Sequence, residues 1–298
     1  MSAADQPDQQ TTVIDGRTFS VASAAPLLWF GALLFIPFLP TLSLLVQDWI
    51  NNEDMGHGFF VPAVAGYIAW LKRDDLRFPA PTNYWGLTLV VWSFLQLGAA
   101  TLGAELYLAR TAFIFAIAGA VLFLCGASNF RKLLLPVTLL FFMVPMPAII
   151  YNNITFPLQL FASRVAEVTL SLIGIPVLRE GNVLELPSQR LSVVEACSGI
   201  RSLLSLTFLA IVYGFFFDSR PWMKWVLFAV TIPIAVAANA LRVTITGVLS
   251  EIDKDLASGV FHSMEGWIIF LLALAMLLAA HKLLCLALGR TRLAHPSV

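Results

Sequence analysis

Mainly apolar runs divide this chain at 24–46, 57–71, 84–103, 107–125, 133–147, 199–217, 225–247 and 264–288, with turn-forming and charged residues between them. A helix needs about 20 such residues to cross a hydrocarbon core. Only helices and closed barrels satisfy their backbone polar groups in lipid. The expected fold class is therefore all-α, a polytopic transmembrane helix bundle with about eight spanning helices. The second and fifth runs are short. The second crosses only if Gly56, His57 and Gly58 join its first turn, and otherwise re-enters. Composition agrees, since 59% of the chain is hydrophobic and 12% charged, well outside the range of soluble domains. The 18 basic and 18 acidic residues cancel, so net charge points to neither nucleic acid nor an acidic ligand.

The placement of the charges is more informative. Lys72, Arg73 and Arg77 follow the second run, Arg131 and Lys132 the fourth, Arg220 and Lys224 the sixth, and Lys282, Arg290 and Arg292 mark the end of the last. The intervening loops are acidic, with Asp48, Glu53 and Asp54 in one, and Glu251, Asp253 and Asp255 against Lys254 in another. Basic loops stay cytoplasmic, so both termini are expected in the cytoplasm and Cys197 on the external side. Residues 1–23 read as a disordered cytoplasmic tail without the basic start of a cleavable signal. Residues 24–288 read as one transmembrane domain and 289–298 as a short cytoplasmic tail.

One long connection separates the fifth and sixth runs. Its first part, 154–173, repeats Gln159, Ser163, Glu167 and Ser171 on an otherwise apolar surface, a pattern that suits an interfacial helix. Its second part, Val177 to Leu186, sets two extended runs around Glu180-Gly181-Asn182 and predicts a small external hairpin.

The chain then reaches Val193 to Ser205, where Cys197 lies between Glu195 and Arg201. On a helix Cys197 and Arg201 share a face, and a neighbouring cation favours the reactive thiolate. In the seventh run Asn239, Arg242 and Thr246 form a polar stripe near the external end. An intramembrane arginine normally faces a bundle interior or a wet cavity. The eighth run opens with Phe261-His262-Ser263-Met264-Glu265-Gly266. It brings an imidazole to the level of the thiol, and Gly266 leaves that helix face open to approach. Thiol, guanidinium and imidazole at three external helix ends suit acyl transfer: Cys197 attacks a carbonyl, His262 exchanges the proton and Arg242 stabilises the oxyanion or thiolate. Several positions carry two readings. Arg201 either activates the thiol or snorkels to headgroups. Glu195 either orients His262 or complements a helix dipole. His57 binds substrate, acts as a second base or packs, with a supporting role favoured. Cys125, Cys197 and Cys285 lack metal-type spacing, which argues against a disulfide framework or a zinc site. No metal or cofactor is expected, and packing is the reading for Cys125 and Cys285. Trp29, Trp49, Trp85, Trp222 and Trp225 lie near run boundaries and suit an interfacial belt.

The segments Glu195-Ala-Cys197-Ser-Gly-Ile-Arg201, Ala238-Asn239-Ala-Leu-Arg242-Val243 and His262-Ser-Met-Glu-Gly266-Trp267 resemble the signature segments of the exosortase/archaeosortase family. Met55-Gly-His57-Gly58 resembles its amino-terminal motif and Gly174 to Asn182 its segment before the cysteine. The resemblance runs from about residue 48 to about 275. It implies a membrane cysteine transpeptidase with Cys197 as nucleophile and Arg242 and His262 as partners. The implied substrates are exported proteins with a carboxy-terminal Pro-Glu-Pro-type signal, a transmembrane helix and a basic tail, with a glycan or lipid as a possible acceptor. Some members carry a further periplasmic domain, which is expected to be absent here or separately encoded. Two other classes compete: a transporter or export factor for exopolysaccharide, and a membrane acyltransferase that loads a fatty acyl group onto the cysteine.

Overall fold

The computed structural model describes residues 13–14, 17–18, 31–193, 200–218, 220–253 and 259–287. Within the amino-terminal tail, β1 (Val13–Ile14) and β2 (Arg17–Thr18) pair antiparallel. The remainder is a helical membrane protein with one small sheet. The helices are α1 (Gly31–Asn51), α2 (Phe60–Leu71), α3 (Tyr84–Leu102), α4 (Leu106–Leu139), α5 (Ala148–Leu172), α6 (Ile200–Phe217), α7 (Pro221–Ile252) and α8 (Gly259–Ala287). Among the described residues five helices are long and apolar enough to cross a membrane. They are α1, α3, α7, the described part of α8 from Met264, and α4 extended to Met143.

The predicted fourth and fifth runs are one helical stretch interrupted at Gly126. That residue has φ +72°, and a Cβ there would sit 2.6 Å from the Pro81 carbonyl, so glycine meets both demands of the break. Arg131 and Lys132, read as loop residues, continue the helix beyond it.

The chain divides into two compact units. The first comprises residues 1–48 and 77–131. Its centre is Phe38, fully buried between the rings of Phe94 and Phe113 at 5.7 and 5.4 Å. Nearby, α3 and α4 cross at paired glycines. A Cβ on Gly119 would lie 2.8 Å from the Gly86 carbonyl and the Val90 nitrogen. Small residues let helix backbones approach this closely in lipid. Gly119→Val is expected to lower the stability of this unit by about 1–3 kcal/mol, read as a reduced melting temperature in detergent. An unchanged melting point would show that the crossing tolerates the extra bulk.

The second unit comprises 49–76 and 132–298, and α7 is its central element, packed by α5, α6 and α8. Its buried positions are mostly small: Ala235, Ala238, Ala240, Thr244, Thr246, Gly247 and Ser250. Large apolar side chains such as Trp225, Ile232 and Ile268 point outward, as lipid-facing surfaces do.

The connection after α4 is helical over Ala148–Leu172, but the first half of its polar row turns inward, while Glu167 is half-buried and Ser171 exposed. Gln159 and Ser163 are buried, whereas Phe156, Phe161, Val168 and Leu172 are exposed, the inverse of a helix that offers its polar face to headgroups. The reason is the sheet that this row receives. Strands β3 (Leu178–Glu180), β4 (Val183–Glu185) and β5 (Arg190–Ser192) form an antiparallel β3-β4-β5 sheet. Glu180 pairs with Val183 across Gly181-Asn182, and Gly181 has φ +66°, as this tight turn requires. Asn182 Nδ2 donates to Gln159 Oε1 at 3.2 Å and Arg179 Nε to Glu167 Oε2 at 2.8 Å. Beneath them Leu184, Leu191 and Val193 pack with Ala162, Ala166 and Leu170 of α5 and with Ala240 and Val243 of α7. The strand β5, which no periodicity announces in three residues, brings Val193 into this core, four residues before Cys197.

Candidate active site

Three helices of the second unit contribute the polar stripe of α7 and its neighbours. Thr246 Oγ1 lies 2.9 Å from both carboxylate oxygens of Glu265 on α8 and 3.0 Å from the Arg242 carbonyl. Glu265 is only 7% exposed. The next residue, Gly266, seats the Arg242 side chain: a Cβ there would be 3.0 Å from Nη2, 3.2 Å from Cζ and 3.4 Å from Nη1. Three guanidinium atoms at nearly equal distances mean that the group lies broadside against the glycine. Position 262 belongs to the same helix by its backbone, one turn or about 6 Å earlier. Its side chain lies outside the described residues, as do Glu195 and Cys197. Asn239 is buried and lines a small cavity with Leu158 of α5, Leu203 of α6, Ala235 and Val236. The α7 stripe thus adjoins the first turns of α6.

A second polar group gathers around the 3-10 turn Glu53–Phe59, which follows α1 and leads into α2. Asn52 caps it by accepting from the Asp54 N–H at 3.0 Å, as a helix start requires. Asp54 then accepts from Arg201 Nε at 2.9 Å and from the Tyr151 hydroxyl at 2.9 Å. His57 Nε2 lies 3.1 Å from the Phe142 carbonyl, and Nδ1 lies 3.4 Å from Ser205 Oγ. A carbonyl can only accept, so Nε2 carries a proton. Trp49, read as a belt residue, donates Nε1–H to the Met143 carbonyl at 2.9 Å. Its indole occupies the place that a Cβ on Gly58 would need.

The sequence-derived residues therefore fall into two groups. Arg242 meets Gly266 one turn from position 262, while His57 and Arg201 are held together through the Asp54 turn and the first turns of α6. Arg201 has a carboxylate at 2.9 Å, which holds its side chain to the Asp54 turn. Four residues of these groups carry no role in the sequence reading: Asp54, Tyr151, Ser205 and Glu265. Glu265 had a usable signal, a carboxylate inside an apolar run. Asp54 reads as an ordinary loop acid, and nothing along the chain marks Tyr151 or Ser205.

Residues 49–279 match the family profile described as transmembrane exosortase. The chain belongs to the transmembrane exosortase family. The match takes in the Asp54 turn, the cysteine segment and the Arg242–Gly266 contact of this exosortase, and ends before His281 and Cys285. No curated protein matches the chain, and no solved structure does.

Proposed function

We propose that this exosortase is a membrane cysteine transpeptidase or protease that cleaves the carboxy-terminal sorting signal of exported proteins on the external side of the inner membrane. Cys197 Sγ, as thiolate, attacks the scissile carbonyl, and the C–N bond breaks. A peptidyl thioester remains on Cys197, and His262 protonates the departing amine. An acceptor amine or water then attacks the thioester, returning the thiolate, with His262 taking the proton of the incoming group. Arg242 directs its N–H groups at the oxyanion. The observation that carries this reading is the Arg242 guanidinium lying against Gly266, one turn from position 262 of the same helix. It supports a guanidinium and an imidazole serving one reacting carbonyl. The alternation of basic and acidic loops supports the external orientation, with both termini in the cytoplasm. Asp54, His57 and Arg201 act in support, holding the first turns of α6 that follow Cys197. Substrates with a Pro-Glu-Pro-type signal, an apolar helix and a basic tail suit this site, because the helix would bring the signal to the membrane boundary.

The test is to trap the intermediate. In His262→Ala protein co-expressed with a signal-bearing substrate, mass spectrometry of the Cys197 peptide is expected to find a peptidyl adduct. A fatty acyl adduct would assign the protein to the acyltransferases instead. Polysaccharide flux that survives alkylation of Cys197 would make it a transporter.

A further inference from the structure

At the opposite end of α7 from Glu265 and Thr246, a polar cluster joins the α6–α7 turn to the last turns of α8. Asp218 and His281 are 3% and 5% exposed, and Cys285 is half-buried beside them. His281 Nε2 lies 3.1 Å from Asp218 Oδ2 and 3.4 Å from Cys285 Sγ. On the far side of the ring, Nδ1 meets the Tyr213 hydroxyl at 2.9 Å. Arg220 Nη2 reaches Asp218 Oδ2 at 2.6 Å and Cys285 Sγ at 3.0 Å. Burial acts to raise the Asp218 carboxyl, but hydrogen bonds from the Arg220 side chain and backbone N–H, and from His281, outweigh it and hold the group well below the usual carboxylate range. Read along the chain, Cys285 has no ionisable company beyond ordinary flanks, and packing is the reading. Folded, it shares a helix face with His281 four residues earlier and meets an acid and a guanidinium from the preceding turn.

Cysteine, histidine and aspartate also suggest a catalytic relay, but the geometry opposes one. A relay uses one ring nitrogen for the nucleophile and the other for the acid, whereas here Nε2 faces both the thiol and the carboxylate. Three donor atoms of different chemistry instead converge, all within 4.8 Å of one another. Metal bonds of about 2.0–2.3 Å in a tetrahedron place neighbouring donors about 3.3–3.5 Å apart, close to the 3.1 and 3.4 Å found. A hydrogen bond donated by the remote ring N–H, here with the Tyr213 oxygen 2.9 Å from Nδ1 as acceptor, is the usual device that orients a ligating imidazole.

We propose that Asp218, His281 and Cys285 form a binding site for a divalent transition-metal ion of the zinc class, for which Arg220 is the competing internal cation. A mixed oxygen, nitrogen and sulfur donor set selects such an ion over magnesium or calcium. Charge balances in both states. Without metal, the Asp218 carboxylate is offset by the Arg220 guanidinium. With metal, carboxylate and thiolate together offset the two positive charges, the Cys285 proton leaves to solvent, and Arg220 would leave both donors for the ring of Trp222, whose centroid is already 5.5 Å from Cζ in the closed arrangement. The site is distinct from the candidate active site, since Gly266 and His281 are 15 residues apart on one helix, or about 22 Å. The ion would tie the α6–α7 turn to the end of α8.

The test uses full-length protein in detergent, stripped with a chelator and titrated with cobalt(II). One equivalent is expected to bind, with an intense thiolate-to-cobalt absorption band and tetrahedral d–d bands, and zinc(II) should displace it. Cys285→Ser should abolish the thiolate band. Tyr213→Phe should weaken affinity about 10–100-fold. Arg220→Gln should tighten binding about tenfold or more, because the competing closed state is removed. These last two variants keep the three donors, so a fold lost through Cys285→Ser or His281→Ala would not obscure the result. The proposal is overturned if neither wild type nor Arg220→Gln takes up an equivalent of cobalt at micromolar free ion, or if the thiolate band survives in Cys285→Ser.

Discussion

Cleavage of a co-expressed signal-bearing substrate is expected to fall at least about 10³-fold when Cys197 is replaced by alanine, while the protein inserts into the membrane at its normal level. The size follows from chemistry. Without the thiolate no thioester forms, and what remains is water attack assisted by binding and oxyanion stabilisation alone. Loss of folding is a weak rival explanation, because a cysteine-to-alanine change removes a single sulfur atom and strains no backbone. Insertion and melting temperature measured on the same preparation separate the two. Cleavage that continues at more than a few per cent of the normal rate would sink the nucleophile assignment, and with it the transpeptidase reading.

The second large effect concerns the seat of Arg242. Arg242→Ala is expected to lower kcat/KM about 10²–10³-fold, the usual cost of removing an oxyanion donor. Arg242→Lys should recover only part of this, because lysine keeps the charge and loses the planar fork. Gly266→Val gives the independent test. Its Cβ would stand 3.0 Å from Nη2, which asks the guanidinium to give by a few tenths of an ångström, the valine methyls beyond it ask for more, and a displacement of about 1 Å in a catalytic group costs about 10²-fold. The loss should appear in kcat more than in KM, with Gly266→Ala intermediate. Full activity in Gly266→Val would mean that the glycine does not position the arginine, and full activity in Arg242→Lys would reduce it to a generic cation.

Much of the helix layout is legible in the chain because burial in lipid rewards long apolar runs directly. The break after residue 125 coincides with Gly126, a residue whose left-handed conformation the sequence signals only as a glycine. The hairpin at 177–186 is legible for the same reason, since Glu-Gly-Asn between extended runs is a local turn signal. Its third strand is not, because three residues carry no periodicity and Arg190–Ser192 becomes a strand only by pairing with β4. The row Gln159, Ser163, Glu167 shows the limit of amphipathicity. A polar stripe has the same spacing whether it faces headgroups or buried partners, and the partners here, Asn182 and Arg179, come from a sheet formed later in the chain. The neighbours of Cys285 are hidden for a related reason: Asp218 and Arg220 arrive from the far side of α7 in sequence.

By itself the sequence determined that this is a helical membrane protein, and it marked Cys197 by the charges beside it, Arg242 as an ion inside an apolar run, and His262 by its place at the head of the last run. Those conclusions rest on composition and local periodicity, which tertiary contacts do not alter. Only the tertiary structure decided that Arg242 lies against Gly266, that Arg201 is held by Asp54, and that Asp218, His281 and Cys285 converge on one point. Each of these depends on how helices rotate and cross, and that is set by which small residues let two backbones approach.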